Sequence, residues 1–179
     1  MNYQQILDFW FAPGTKEQWF AKSDEFDLEI ETQFGKTLEQ ALQCELWTWR
    51  ETAQGRLAEI IVLDQFSRNL FRDHPASFAQ DPMALSLAQE AIRLGLDLNL
   101  KPEERSFLYM PFMHSESKII HIQALQLFEA LGNPINLDFE KKHKVIIDRF
   151  NRYPHRNEIL GRESTPEEIE FLKQPNSSF

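Results

Sequence analysis

The chain has 179 residues, a formal net charge of −9 and an isoelectric point near 5.1. One domain accounts for that length, since domains mostly run about 100 to 200 residues, and the acidic field argues against a non-specific binder of nucleic acid or of an anionic membrane surface. Its single cysteine, Cys44, excludes an intrachain disulfide, a paired-cysteine redox site and a cysteine-rich zinc site.

Glycine is scarce at 6 residues, and valine occurs twice against 21 leucines. Strands favour β-branched residues and hairpins need turn glycines, so this balance points away from sheet. The opening Met1–Gln5 lacks the basic start and apolar stretch of a signal peptide. Asn2 with Gln5 instead resembles a capping box for a helix over 2–11. Phe26, Ile30, Phe34, Leu38 and Leu42 form one apolar stripe and predict a helix over 25–43. The next, over 56–72, holds the most apolar run, Leu57 to Leu63. Glu59 interrupts that run and Asp64 follows it, far short of the roughly 18 apolar residues of a membrane span. Asp81-Pro82 opens 82–95, and Pro102-Glu103-Glu104 opens 102–112. Ile120, Ala124, Leu127, Phe128 and Leu131 stripe a helix over 116–131, and Phe139, His143, Ile146 and Phe150 one over 137–151. Thr165-Pro166-Glu167-Glu168 starts the last, 165–173.

Short connections make sequential helices antiparallel neighbours. The expectation is a cytoplasmic, all-α single domain over 1–173, with about eight helices in antiparallel hairpins and a flexible tail over 174–179. Asp64-Gln65-Phe66-Ser67-Arg68 is echoed by Asp148-Arg149-Phe150-Asn151-Arg152, a repetition that stacked helical hairpins can produce.

Three runs combine charge with an apolar setting. Residues 56–72 are apolar in nearly every direction around a helix, the pattern of a buried one. Asp64, Arg68 and Arg72 nevertheless follow at four-residue steps, with Gln65 and Asn69 alongside. Such charges must find partners or line a cavity. The guanidinium forks suit carboxylate or phosphate. Residues 141–162 carry +5 in an otherwise acidic chain; Arg149, Arg152, Tyr153, His155, Arg156, Asn157 and Arg162 interleave basic, aromatic and polar groups around Pro154. The third run, His114-Ser115-Glu116, offers a general base and its orienter. A two-residue spacing serves that purpose only if His114 precedes the helix and Ser115 caps it. The histidines at 74, 114, 121, 143 and 155 show no metal-ligand spacing, and no metal or cofactor is expected.

Asp64 to Asn69, His114-Ser115-Glu116, and Arg149 to Asn157 followed by Ile159-Leu160-Gly161-Arg162 together resemble the family catalogued as domain of unknown function 924. Asp8-Phe9-Trp10-Phe11, Trp19-Phe20, Trp47 and Ser164 to Glu168 resemble its pattern too, so the likeness covers essentially the whole chain. Ser67 stands where that family usually has proline, and Asn151 where it has glycine. The resemblance implies an all-α, TPR-like architecture and brings no established activity.

Three readings follow from the residues. The first is a binding pocket for a small anionic ligand or peptide carboxylate, lined by Asp64, Arg68, Asn69, Arg72, Arg149, Arg152, His155, Arg156, Asn157 and Arg162. The second is an enzyme in which His114, oriented by Glu116 or Asp64, acts as general base while Arg68, Arg152 or Arg156 stabilises negative charge. The third is an interaction scaffold whose polar runs are internal struts.

Overall fold

A computed structural model describes residues 2–179; Met1, the first residue of the expected domain, lies outside them. Among the described residues the chain is all-helical, with no strand. The longer helices are α1 (Tyr3–Trp10), α3 (Asp24–Leu42), α4 (Ala53–Ile61), α6 (Asp81–Arg93), α7 (Pro102–Met113), α8 (Lys118–Leu131), α9 (Pro134–Phe150) and α10 (Pro166–Leu172), with short α2 (Pro13–Lys16) and α5 (Ser67–Leu70) between them. No helix among them is long and apolar enough to cross a membrane.

Local chemistry explains most of the starts. Asn2 and Gln5 form the expected capping box on α1, and Thr165 with Glu168 forms one on α10. α9 begins three residues earlier than its apolar stripe predicts, because Asn133 caps Ile135 and Asn136 and Pro134 takes the first helical position. α3 buries Phe26, Ile30, Phe34 and Leu38 as the stripe requires, although Leu42 reaches the surface. The echoed aspartates differ in setting: Asp64 is buried, whereas Asp148 pairs with Lys144 on the surface.

α4 is the hub, packing against α1, α6, α7 and the 3-10 turn Trp47–Glu51. Leu57, Ala58, Ile60, Ile61, Val62 and Leu63 are all fully buried, each large one stabilising by about 1.5–3 kcal/mol relative to exposure. Rings of Phe9, Trp10, Phe34, Phe66 and Phe107 interlock beside them. Glu59, fully buried within α4, is held by a two-pronged contact from Arg50 at 2.6 and 2.7 Å.

The helix predicted over 56–72 is not one uniform helix. α4 widens at Val62–Phe66 into a π turn, resumes as α5, and ends at Phe71, whose backbone leaves the helical region. Arg72 therefore lies beyond the helix, and the line Asp64, Arg68, Arg72 divides there. The 174–179 segment, expected as a loose tail, folds against α9. Ser177 donates to the Leu172 carbonyl at 3.1 Å, and the Phe179 ring stacks on His143 with centroids 3.9 Å apart.

Gly55 sits where α4 passes the Trp47–Glu51 turn. A Cβ there would lie 2.0 Å from the Trp49 carbonyl oxygen, a backbone atom that cannot rotate away. Gly55→Ala should cost about 3 kcal/mol, the upper end of overpacking. In a domain of this size that lowers the midpoint in thermal denaturation by roughly 6–12 °C; an unchanged midpoint would show that the turn is free to shift.

Candidate functional site

Asp64 leaves the π turn with its carboxylate inside the protein, 1 % exposed. A buried carboxylate is costly unless its oxygens are satisfied. Here Oδ1 accepts from His114 Nδ1 at 2.7 Å and from Arg68 Nη1 at 3.2 Å, while Oδ2 accepts from Gln65 Nε2 at 2.5 Å. Arg68 Nη1 also donates to the Asp64 backbone carbonyl at 2.7 Å. The same guanidinium grips Asp81, at the first turn of α6, through two contacts of 2.9 Å. Arg156 reaches Asp81 from the far side at 3.2 Å. One chain of contacts thus runs His114, Asp64, Arg68, Asp81, Arg156 and joins four separate segments.

Arg156 lies between two rings, 4.5 Å from the centroids of both Phe78 and Tyr153, a favourable setting for a partly desolvated cation. It is 6 % exposed, yet its Nε has no partner. His155 Nδ1 beside it is likewise buried and unpartnered.

His114 closes α7 and lies outside α8, so the loop position that the spacing requires is present. Of the two carboxylates that the sequence offers it, His114 pairs with Asp64. Glu116 faces the other way: it accepts from the Tyr153 backbone N–H at 2.7 Å and from both arms of Arg162 at 2.6 and 2.9 Å. Ser117, not Ser115, holds the N-cap position of α8; Ser115 Oγ accepts from the Ser117 N–H.

The remaining predicted residues are drawn elsewhere by carboxylates. Asn69 and Arg72 both meet Asp27 of α3, Asn69 at 2.7 Å. Arg149 pairs with Glu167 on the surface, and Arg152 with Glu168 at 2.6 and 2.7 Å. Asn157 accepts from Arg162 at 3.0 Å. The predicted pocket lining omits Asp81, Phe78, Asp27 and Glu168, and Tyr153 enters the sequence reading only as part of the basic–aromatic run. Asp81 had only read as a helix start, and aromatic platforms leave no periodic signal. Two surface concavities, of about 450 and 410 Å³, lie against α1 and α2 and contain none of the predicted site residues. Among the described residues no three or more His, Cys, Asp or Glu side chains are grouped to hold a metal ion.

The profile of a family described as "Bacterial protein of unknown function (DUF924)" matches residues 6–176. The chain belongs to this family. A solved structure of a protein of unknown function from Agrobacterium tumefaciens is similar to it at 40% identity, with a TM-score of 0.90 and 96% of each chain covered. No curated protein matches the sequence.

Electrostatics in this DUF924 chain follow from burial and pairing. Burial pushes the Asp64 carboxyl up, but His114 and Arg68 outweigh it and hold it well below the usual range. Burial and then Arg68 depress the His114 imidazole, against the pull of Asp64. Asp64 is therefore a carboxylate, His114 Nδ1 carries a hydrogen, and Nε2 is a bare acceptor. Burial lowers His143 to about 3, although its bond to the Phe139 carbonyl opposes this, and lowers His155 to about 4, aided by Arg156.

Two outcomes follow. Asp64→Ala leaves Arg68 and His114 without their buried partner and should cost on the order of 3–5 kcal/mol, read as a lower denaturation midpoint; no change would mean that Asp64 is solvated. In the pH profile, a histidine kept neutral by folding binds fewer protons than in the unfolded chain. Its contribution is whole above about pH 6.5 and is lost as pH falls towards the folded value. For His143 that amounts to about 2 kcal/mol at pH 5. His143→Phe, which keeps a ring against Phe179, should flatten the decline in stability between about pH 6.5 and 5. An unaltered slope would place the titrating group elsewhere.

Proposed function

We propose that this protein is a cytoplasmic, TPR-like helical protein that binds a small anionic ligand or a peptide carboxylate where His114, Arg68 and Arg156 meet. One observation carries the reading: Arg156, buried between Phe78 and Tyr153, keeps a buried N–H unspent although every neighbouring cation is paired. A buried donor without a partner costs roughly 1–3 kcal/mol, and an accepting oxygen from a ligand would recover it. The unpartnered His155 Nδ1 supports the same position. Arg72, Arg149, Arg152 and Arg162 are struts in this reading, because their carboxylates already satisfy them. Phe78, whose ring covers one side of Arg156, lies in the connection between α5 and α6.

At constant ionic strength, phosphate or succinate should raise the denaturation midpoint, since a ligand that binds only the native state stabilises it by mass action. At about a hundred times the dissociation constant the gain is about 2.7 kcal/mol. Arg156→Gln should abolish the response, while Arg152→Gln, although less stable, should keep it. Identical responses in all three proteins would reduce the effect to general salt and remove the site.

A second reading, acid–base catalysis, is favoured by the Asp64–His114 pair itself: a buried carboxylate orients Nδ1 and leaves Nε2 without a protein partner. Diethyl pyrocarbonate, which acylates neutral open imidazoles, should modify His114 along with exposed His74 and spare His121, both of whose nitrogens are bonded. Phosphate should protect His114 and leave His74 reactive. Failure to label His114 would show that Nε2 is closed to reagents and end the catalytic reading.

A further inference from the structure

The charges at this site balance. Arg68 and Arg156 supply two positive charges, Asp64 and Asp81 two negative ones, and direct contacts link all four. His114 adds none in its neutral form, and its Nε2 presents a lone pair. An arriving anion therefore meets a neutral cluster with a repelling lone pair at its edge. In a partly desolvated setting such a mismatch is expensive. His114 can correct it without breaking a contact: a proton on its Nε2 adds a positive charge and turns the acceptor into a donor, while Nδ1 stays on Asp64.

We infer that anion binding at the Arg68–Asp81–Arg156 cluster is coupled to the uptake of one proton by His114, so that the site takes its ligand more tightly as pH falls. This rests on the binding reading above and deepens it. The groups that act on His114 are Asp64 and Arg68 from the π turn and α5, Asp81 from α6, and His143 from α9. The two carboxylates favour its protonation, and Arg68 and burial oppose it. In the ligand-free protein the opposition prevails; the anion's charge shifts the balance. Glu116 is not available for this task, because Arg162 and the Tyr153 N–H occupy it.

By linkage, a proton taken up on binding makes the affinity fall about tenfold per pH unit once His114 is neutral in the free protein. Sulfate is the suitable probe, because its own charge does not change between about pH 6 and 8, where histidine titrates. Calorimetric titration with sodium sulfate, at constant ionic strength and in buffers of different ionisation enthalpy, should show uptake approaching one proton. His114→Gln should bind sulfate more weakly at about pH 6 and lose both the pH slope and the proton uptake. Sulfate binding with an unchanging affinity across the range would overturn the coupling and leave the site intact. No binding at any pH would remove the site reading itself. Uptake that persists in His114→Gln and disappears in His155→Gln would overturn the assignment to His114. Should His114→Gln not fold, the imidazole resonance of His114 in the wild-type protein decides. Sulfate should raise its titration midpoint by about two units, a hundredfold change in affinity, and an unmoved midpoint would sink the proposal.

Discussion

The buried carboxylate of Asp64 sets a condition that the surrounding structure has to meet. It directly follows the most apolar run of the chain and is itself buried, where an unpaired charge would cost several kcal/mol. Three side chains come to it from three directions in sequence: Gln65 next door, Arg68 a turn further on, and His114 fifty residues away. Arg68 in turn requires Asp81, and Asp81 draws in Arg156. Satisfying one ion therefore fixes how the π turn, the start of α6, the end of α7 and the Pro154–Arg156 turn lie relative to one another. The wide turn belongs to the same logic. A π segment inserted in a helix is a local departure from the favoured geometry that often marks a functional position, and here it carries both Asp64 and Gln65 into the interior.

Buried ion networks are weak evidence for stability, because well-packed apolar residues of similar volume often do as well or better. What separates this one from a simple clamp is the distribution of unspent atoms. The struts at Arg152–Glu168 and Arg162–Glu116 are two-pronged and closed. Around Arg156 the pairing is incomplete: one Nη contact to Asp81, a free Nε and a free His155 Nδ1. Counting arginines in a basic stretch therefore overstates binding capacity. Most of the positive charge in 141–162 is cancelled locally, and Arg156 between its two rings keeps one donor free.

Much of the fold was legible because helices announce themselves locally. The caps at Asn2 and Thr165 and the stripe through Phe26 to Leu38 depend on neighbours three or four residues away. The interruption at Val62–Phe66 was not legible, since nothing in Val-Leu-Asp-Gln-Phe forbids an α-helix. The tertiary demand of Asp64 is what accompanies the wide turn. The charged stripe was visible, but its division was not: Asp81 of α6 takes Arg68 and Asp27 of α3 takes Arg72, and helical periodicity holds no record of such partners. The pairing of His114 with Asp64 rather than Glu116 illustrates the same limit. Proximity in sequence favoured Glu116, yet the loop turns that carboxylate towards Arg162.

Tyr153 shows why the position of Arg156 is determined from within the core rather than by the surface turn that bears it. Its backbone N–H donates to Glu116, its ring supports Arg156, and its hydroxyl donates to the Met113 carbonyl at 2.5 Å. With that hydrogen spent, the hydroxyl oxygen can only accept from His121 Nε2 at 3.1 Å. The same nitrogen lies 2.8 Å from the Ser115 carbonyl, so it must carry a hydrogen. The other face of His121 meets Glu140 at 2.8 Å, and both side chains are fully buried. Burial raises the Glu140 carboxyl against the pull of His121, and the pair holds a single proton between Nδ1 and Oε1. Each member of this set has its partners dictated by the others, and polar groups in a low dielectric resist rearrangement because every broken contact leaves an uncompensated atom. Arg156 therefore stands on a platform tied to α7, α8 and α9 at once, and an anion arriving there would find its guanidinium already placed, with little ordering cost to reduce the affinity.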